Sequence, residues 1–223
     1  MNKKELIKTL FFPEREFAHQ QVLLLCKSHD LSTDFIFNGN NKDNYHTKEH
    51  CLDVAFMAFN MVQVIVNKED RYKVSRQALL AGIFHDAYHS LGVEKDSQNI
   101  FKSIVMFNKY YNNSKNLDSD DYQAIIHAIQ ATEYPHKEIG DTLLSCIISD
   151  ADILSSLTPG GIYHSLMGFV NENKTDLHSQ KDTYIKFINS LPTLLKLDVN
   201  KDFLLKNKDK MISSVELLAK IIV

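Results

Sequence analysis

Three short stretches of this chain place metal-binding side-chain types at helical spacing. They are Tyr45-His-Thr-Lys-Glu-His50, the pair His85-Asp86 within Ala81-Gly-Ile-Phe-His-Asp-Ala-Tyr-His89, and Asp150-Ala-Asp152. Residues four apart lie about 40° from each other around a helix, so His46 and His50 can face one point. His85 and His89 repeat that spacing, while Asp86 lies about 100° from His85. Leu79, Leu80, Ile83 and Phe84 precede the pair, so its helix is expected to be buried there, and a bare carboxylate in such a place is costly. Either a partner compensates it or a cation does. One cation between two helices could take His50, His85 and Asp86, with Asp152 as a fourth ligand and positions left open. Imidazole with carboxylate suits Zn, Mn, Fe, Ni or Co, and the carboxylates tolerate Mg at a further site, so one or two divalent ions are expected.

Each stretch has an ordinary reading when taken alone. A single histidine on an apolar helix is usually satisfied within the core, and Asp-x-Asp at a helix border is more often a cap than a ligand pair. Their joint occurrence, each among apolar neighbours, is what favours the cation.

The elements that would position these residues read as helices. The 223 residues contain only 4 Pro and 7 Gly, with 44% hydrophobic and 10% aromatic residues, which suits long helices around a sizeable core. The periodicity predicts helices over 14–29, 48–66, 74–89, 97–111, 118–132, 139–157, 162–171, 179–197 and 202–222, with Thr47 as a cap and a polar loop over 38–44. The helix after Thr47 is apolar on nearly every face and belongs in the middle of a bundle. No convincing period-2 strand and no repeat occur, so one all-α domain over residues 1–223 is expected, with the C-terminal helices from about 160 packing on the core or on a partner. A net charge of −3 without a basic stripe speaks against stable nucleic-acid binding. Cys26, Cys51 and Cys146 form neither a disulfide framework nor a Cys-x-x-Cys site and fit a reducing cytoplasm. Neither a signal peptide nor a membrane span is expected.

The order His, His-Asp, Asp resembles that of the HD superfamily of metal-dependent phosphohydrolases. The resemblance implies a helical bundle in which His50, His85, Asp86 and Asp152 ligate the principal metal. Asp152 is preferred to Asp150 because Asp152-Ile-Leu154 is similar to the family's final motif. Tyr45-His-Thr-Lys-Glu-His-Cys-Leu-Asp-Val54 also resembles a motif of animal-type cyclic-nucleotide phosphodiesterases, and His85-Asp-Ala-Tyr-His-Ser-Leu-Gly92 resembles their second motif. That likeness implies His46 as proton donor to the leaving oxygen and His89 as the histidine near a second metal. Thr47 stands where those enzymes have Asn, and Ser90-Leu91 departs from their Pro-Gly turn. The motif resemblance covers about residues 45–155.

The implied activity is hydrolysis of a small-molecule phosphomonoester or phosphodiester, a nucleotide above all. A cyclic-nucleotide or cyclic-dinucleotide phosphodiesterase and a non-catalytic metal-binding sensor are the alternatives. Glu49 or Asp53 is expected to support a protonated His46, and Asp53 to orient the site from behind or to form an interhelical ion pair. His127 could ligate, or bond a substrate phosphate, or sit in the core. With His136 and His89 it does not make the extra histidine pair of di-iron members, so an oxygenase is disfavoured. His19, His29, His164 and His178 fit no ligand spacing and are read as ordinary residues. Oligomeric state is open, with a homo-oligomer allowed.

Overall fold

The computed structural model describes residues 13–33, 46–90, 94–114, 116–133 and 142–222. Within them run α1 (Pro13–Ser28), α2 (Lys48–Ile65), α3 (Arg71–Phe84), α4 (Asp96–Asn113), α5 (Ser119–Gln130), α6 (Leu143–Ser155), α7 (Pro159–Asn173), α8 (Leu177–Ser190) and α9 (Asp198–Ile222). A 3-10 turn, Leu191–Thr193, precedes α9, and no strand occurs among the described residues. The all-α class expected from composition and periodicity is the class found. The polar loop over 38–44, Tyr45, the Leu91-Gly92 turn and His136 lie outside the described residues.

Hydroxyl and carboxylate caps set several helix starts, because they accept from backbone N–H groups that have no partner inside the helix. Thr47 Oγ1 accepts from His50 N, Asp118 Oδ1 from Asp121 N at 2.7 Å, and Thr142 Oγ1 from Ser145 N at 3.1 Å. Thr158 does the same for α7, with Pro159 in the first turn, where its missing N–H is no loss. At the other end of α2, the Arg71 guanidinium donates twice to Val66 O, at 3.2 and 3.0 Å. That closes the short connection and turns α3 back along α2.

The α2–α3 pair is the centre of the molecule, and its close approach depends on Gly82. A Cβ there would lie 2.6 Å from Ala55 Cα and 2.8 Å from Ala55 N, so only a residue without a side chain lets the helices meet at this distance. Around the pair pack α6 and α1 against α2, and α5 and α6 against α3. Leu79, Leu80 and Ile83 of α3, Ile125 and Ile129 of α5, and Ile147 and Ile148 of α6 are fully buried. Ile162 and Leu166 of α7, Tyr184 and Ile188 of α8, and Leu204 and Val215 of α9 belong to the same apolar cluster. The C-terminal helices therefore pack on the core. No described helix is long and apolar enough to cross a membrane.

Several helix ends differ from the periodicity-based expectation: the helix expected over 179–197 ends at Ser190 before the 3-10 turn, and two further differences bear on buried polar groups. The third helix stops at Phe84, so His85 is its C-cap and Asp86 to His89 lie in the turn beyond it. The last helix begins at Asp198, four residues earlier than its apolar pattern indicates, because a buried carboxylate from α6 serves its N-terminus (below).

Candidate metal centre

His50 comes from the first turn of α2, His85 from the end of α3, Asp86 from the turn after it, and Asp152 from the C-terminal half of α6. The fold brings these four together. His50 Nε2 lies 3.2 Å from His85 Nε2 and 3.1 Å from Asp152 Oδ1, and His85 Nε2 is 3.7 Å from the same oxygen. Asp86 Oδ2 is 3.6 Å from His50 Nε2 and 3.5 Å from His85 Nε2. Both histidines are buried, with Asp86 and Asp152 partly exposed. His50, His85 and Asp152 form a group that could hold a metal ion.

The donor chemistry fits such an ion. His85 Nδ1–H donates to Gly82 O at 2.8 Å, which points Nε2 at His50 as the nitrogen that would meet an ion once the ion displaced its proton. The two ring nitrogens lie 3.2 Å apart, with one oxygen of Asp152 and one of Asp86 3.1–3.7 Å from them, an arrangement that positive charge would hold together. Ligands held at about 2.1 Å from one ion would be separated by about 3.4 Å in a tetrahedron and about 3.0 Å at right angles, close to the spacings found. The electrostatics agree. Burial alone would raise both carboxyls, but the imidazoles of His46, His85 and His50 hold Asp86 well below the usual carboxylate range. Hydrogen bonds from His50 and His85 do the same for Asp152. Burial works against charge on His85, yet the two carboxylates and the Gly82 carbonyl push it up to about 9.

Next to this group stands a second feature. His46 Nδ1–H donates to Asp86 Oδ2 at 2.6 Å, and the His46 ring stacks on that of His89 with 3.5 Å between centroids and 15° between planes. Burial first, then the adjacent His46, lower His89 to about 4, so it is neutral near pH 7. The turn carrying His89 is tied to α4: Tyr88 N donates to the buried Ser103 Oγ at 3.0 Å, and Ser90 N to the buried Asn99 Oδ1 at 3.1 Å.

Several expected roles change. The carboxylate beside His46 is Asp86. Of the two readings of Asp53, the interhelical ion pair is the one found, since it accepts from His19 Nε2 at 2.8 Å between α1 and α2, and Glu49 is exposed. His19 therefore has a structural partner that local spacing could not reveal. Cys51 is a buried core residue beside the Asp86 backbone. Burial and then the Asp86 charge push its thiol well up, so it stays protonated. Asp150 does not join the cluster. Its carboxylate accepts from Lys196 N at 2.7 Å, Leu197 N at 3.0 Å and Asn200 Nδ2 at 2.8 Å. His127 is half-buried on α5 and is not a member of the metal-capable group. His29 stacks on Tyr72, with 4.9 Å between centroids. His164, read as ordinary from its spacing, meets Thr47 Oγ1 at 3.1 Å across 117 positions. No local pattern signals that contact.

No protein-family model, no curated protein and no solved structure matches this chain.

Proposed function

We propose that this chain is a metal-dependent phosphohydrolase of the HD type, cleaving a phosphomonoester or phosphodiester of a small molecule such as a nucleotide. The observation that carries the reading is the joint approach of His50, His85, Asp86 and Asp152, with His46 bonded to the shared carboxylate. His50, His85, Asp86 and Asp152 would hold a divalent cation, which would supply a water of near-neutral pKa and polarisation of a phosphoryl oxygen.

The rest is the work of the chain. Asp86 fixes the His46 ring through Nδ1, so the proton to be delivered is the one carried on Nε2. Its transfer to the departing alkoxide is general acid catalysis, worth about 10²–10⁴-fold. His89, neutral and stacked on His46, keeps a second positive charge away and limits the motion of the acid. The narrower reading of a cyclic-nucleotide or cyclic-dinucleotide phosphodiesterase rests on that stacked pair, the two histidines that the motif resemblance to those enzymes implies.

The test is a panel of nucleotides, cyclic nucleotides and bis(p-nitrophenyl) phosphate with Mn, Mg, Ni and Co, run beside Asp86→Ala and His46→Ala. Asp86→Ala is expected to lose metal and turnover together. His46→Ala is expected to keep metal while kcat falls at least 10²-fold. Cleavage of monoesters without cyclic nucleotides would remove the narrower reading. Metal-loaded wild type that turns over nothing would replace both with a sensor.

A further inference from the structure

Thr47 occupies a position that the roles of His46 and His50 both depend on. It is the N-cap of α2, so His50 stands in the helix's first turn and His46 directly precedes the cap. Thr47 is buried, and its Oγ1 accepts from His50 N at 3.4 Å, a long contact for a cap. The same oxygen meets His164 Nε2 at 3.1 Å. A hydroxyl carries one proton and two lone pairs. With one lone pair on His50 N–H, the contact to His164 fixes the hydroxyl's rotation whichever of the two donates.

His164 reaches Thr47 because α7 leaves α6 by a tight corner. Thr158 Oγ1 accepts from Gly161 N at 3.0 Å and donates to Ser155 O at 3.0 Å. A Cβ on Gly161 would lie 2.0 Å from Ser155 O and 2.9 Å from Ser156 C, so the corner admits only glycine there. The helix end that presents Asp152 to His50 is thus joined, by a corner with little freedom, to the helix that presents His164 to Thr47. The first turn of α2 is gripped from two sides, at its ligand by Asp152 and at its cap by His164.

We infer that His164 is a positioning residue, which clamps the Thr47 cap and so holds the acid His46 and the ligand His50 in register with Asp86 and Asp152. The inference rests on the phosphohydrolase reading for its effect on turnover, but not for its effect on metal binding.

The experiment compares His164→Ala, His164→Asn and His164→Gln, each checked for helical content, by Mn affinity against a chromophoric chelator and by kcat and KM on bis(p-nitrophenyl) phosphate. The Gln amide can reach the place of Nε2, whereas the shorter Asn amide occupies that of Nδ1. Ala and Asn are expected to weaken Mn binding and kcat by about 10-fold or more, the range found for groups behind metal ligands. KM should be unchanged and Gln should restore both quantities. In a Thr47→Val background, His164→Ala should add nothing further. Should Ala fail to fold, the Asn and Gln pair carries the comparison. Wild-type values for Asn in both readouts, or equal losses for Asn and Gln, would overturn the clamp. A wild type without turnover would instead refute the hydrolase reading, with the clamp still decided by Mn affinity.

Discussion

Asp86 has two claims on one oxygen. Its Oδ2 accepts from His46 at 2.6 Å and also faces the Nε2 atoms of His50 and His85. A negatively charged carboxylate can serve an acid and an ion together, whereas a neutral imidazole in its place would offer a single lone pair. Asp53, by contrast, is engaged elsewhere. Its partner is His19, and both side chains are partly exposed, at 11% and 19%. Asp53→Asn should therefore lower stability by about 1 kcal/mol and leave metal affinity at the wild-type value, read by urea unfolding and chelator competition. A loss of metal would return Asp53 to the site. The difference between the two aspartates marks how far residues could be read from the chain. His50, His85, Asp86 and Asp152 were legible because each sits in an apolar run where a charged or polar group needs a reason. Asp53 sits in a similar run, but its reason is His19, and a contact across 34 positions between two helices leaves no local pattern. His164 was hidden in the same way.

Helices fix the distance between those residues, and the α2–α3 approach is the dimension that matters most. His50 lies five residues before Ala55 and His85 three after Gly82, so any separation of the pair at Gly82 moves both ligands apart. Gly82→Ala would put a methyl group into the Ala55 backbone, where no side chain can yield. Overpacking of this kind costs about 1–3 kcal/mol, and metal affinity should fall with it although no ligand is touched. Chemical denaturation of the metal-free protein and Mn titration of the folded variant check the two parts. Full stability with wild-type affinity would mean that the helices slide past the methyl group. The glycine's part was not legible, since a Gly within an apolar helix reads as a weak point until its neighbour is known. Capped starts such as Thr47 were legible, because the hydroxyl-to-amide bond is local. The end of α3 was not: apolar periodicity continues past Phe84, but the chain leaves the helix at His85 so that Asp86 can turn toward His46.

Across the whole molecule, α6 connects the centre to the C-terminal helices by two aspartates on different faces. Asp152 turns to His50 and His85, while Asp150 turns to the start of α9 and accepts from two backbone N–H groups and the Asn200 amide. Burial raises the Asp150 carboxyl, and those three donors oppose the rise. A carboxylate at a helix N-terminus satisfies amides that have no helical partner and meets the positive end of the helix dipole. It thus replaces a local cap for the longest helix of the chain, and Tyr184 Oη, which donates to Ser156 O at 2.6 Å, ties α8 to the same region. Removing the carboxylate takes away the acceptor of two part-buried backbone N–H groups and of the buried Asn200 amide at once. Asp150→Ala is expected to cost about 2–4 kcal/mol, roughly 2–4 °C in Tm for each kcal/mol at this chain length. Because Asp152 stays in place, Mn affinity of the folded variant should fall less than 3-fold, whereas Asp152→Ala should abolish binding with a smaller change in Tm. Calorimetry and chelator competition on both variants separate the roles. If Asp150→Ala instead lost the metal at unchanged Tm, the assignment of the two aspartates would be reversed, and the C-terminal helices would depend on other contacts for their place on the core.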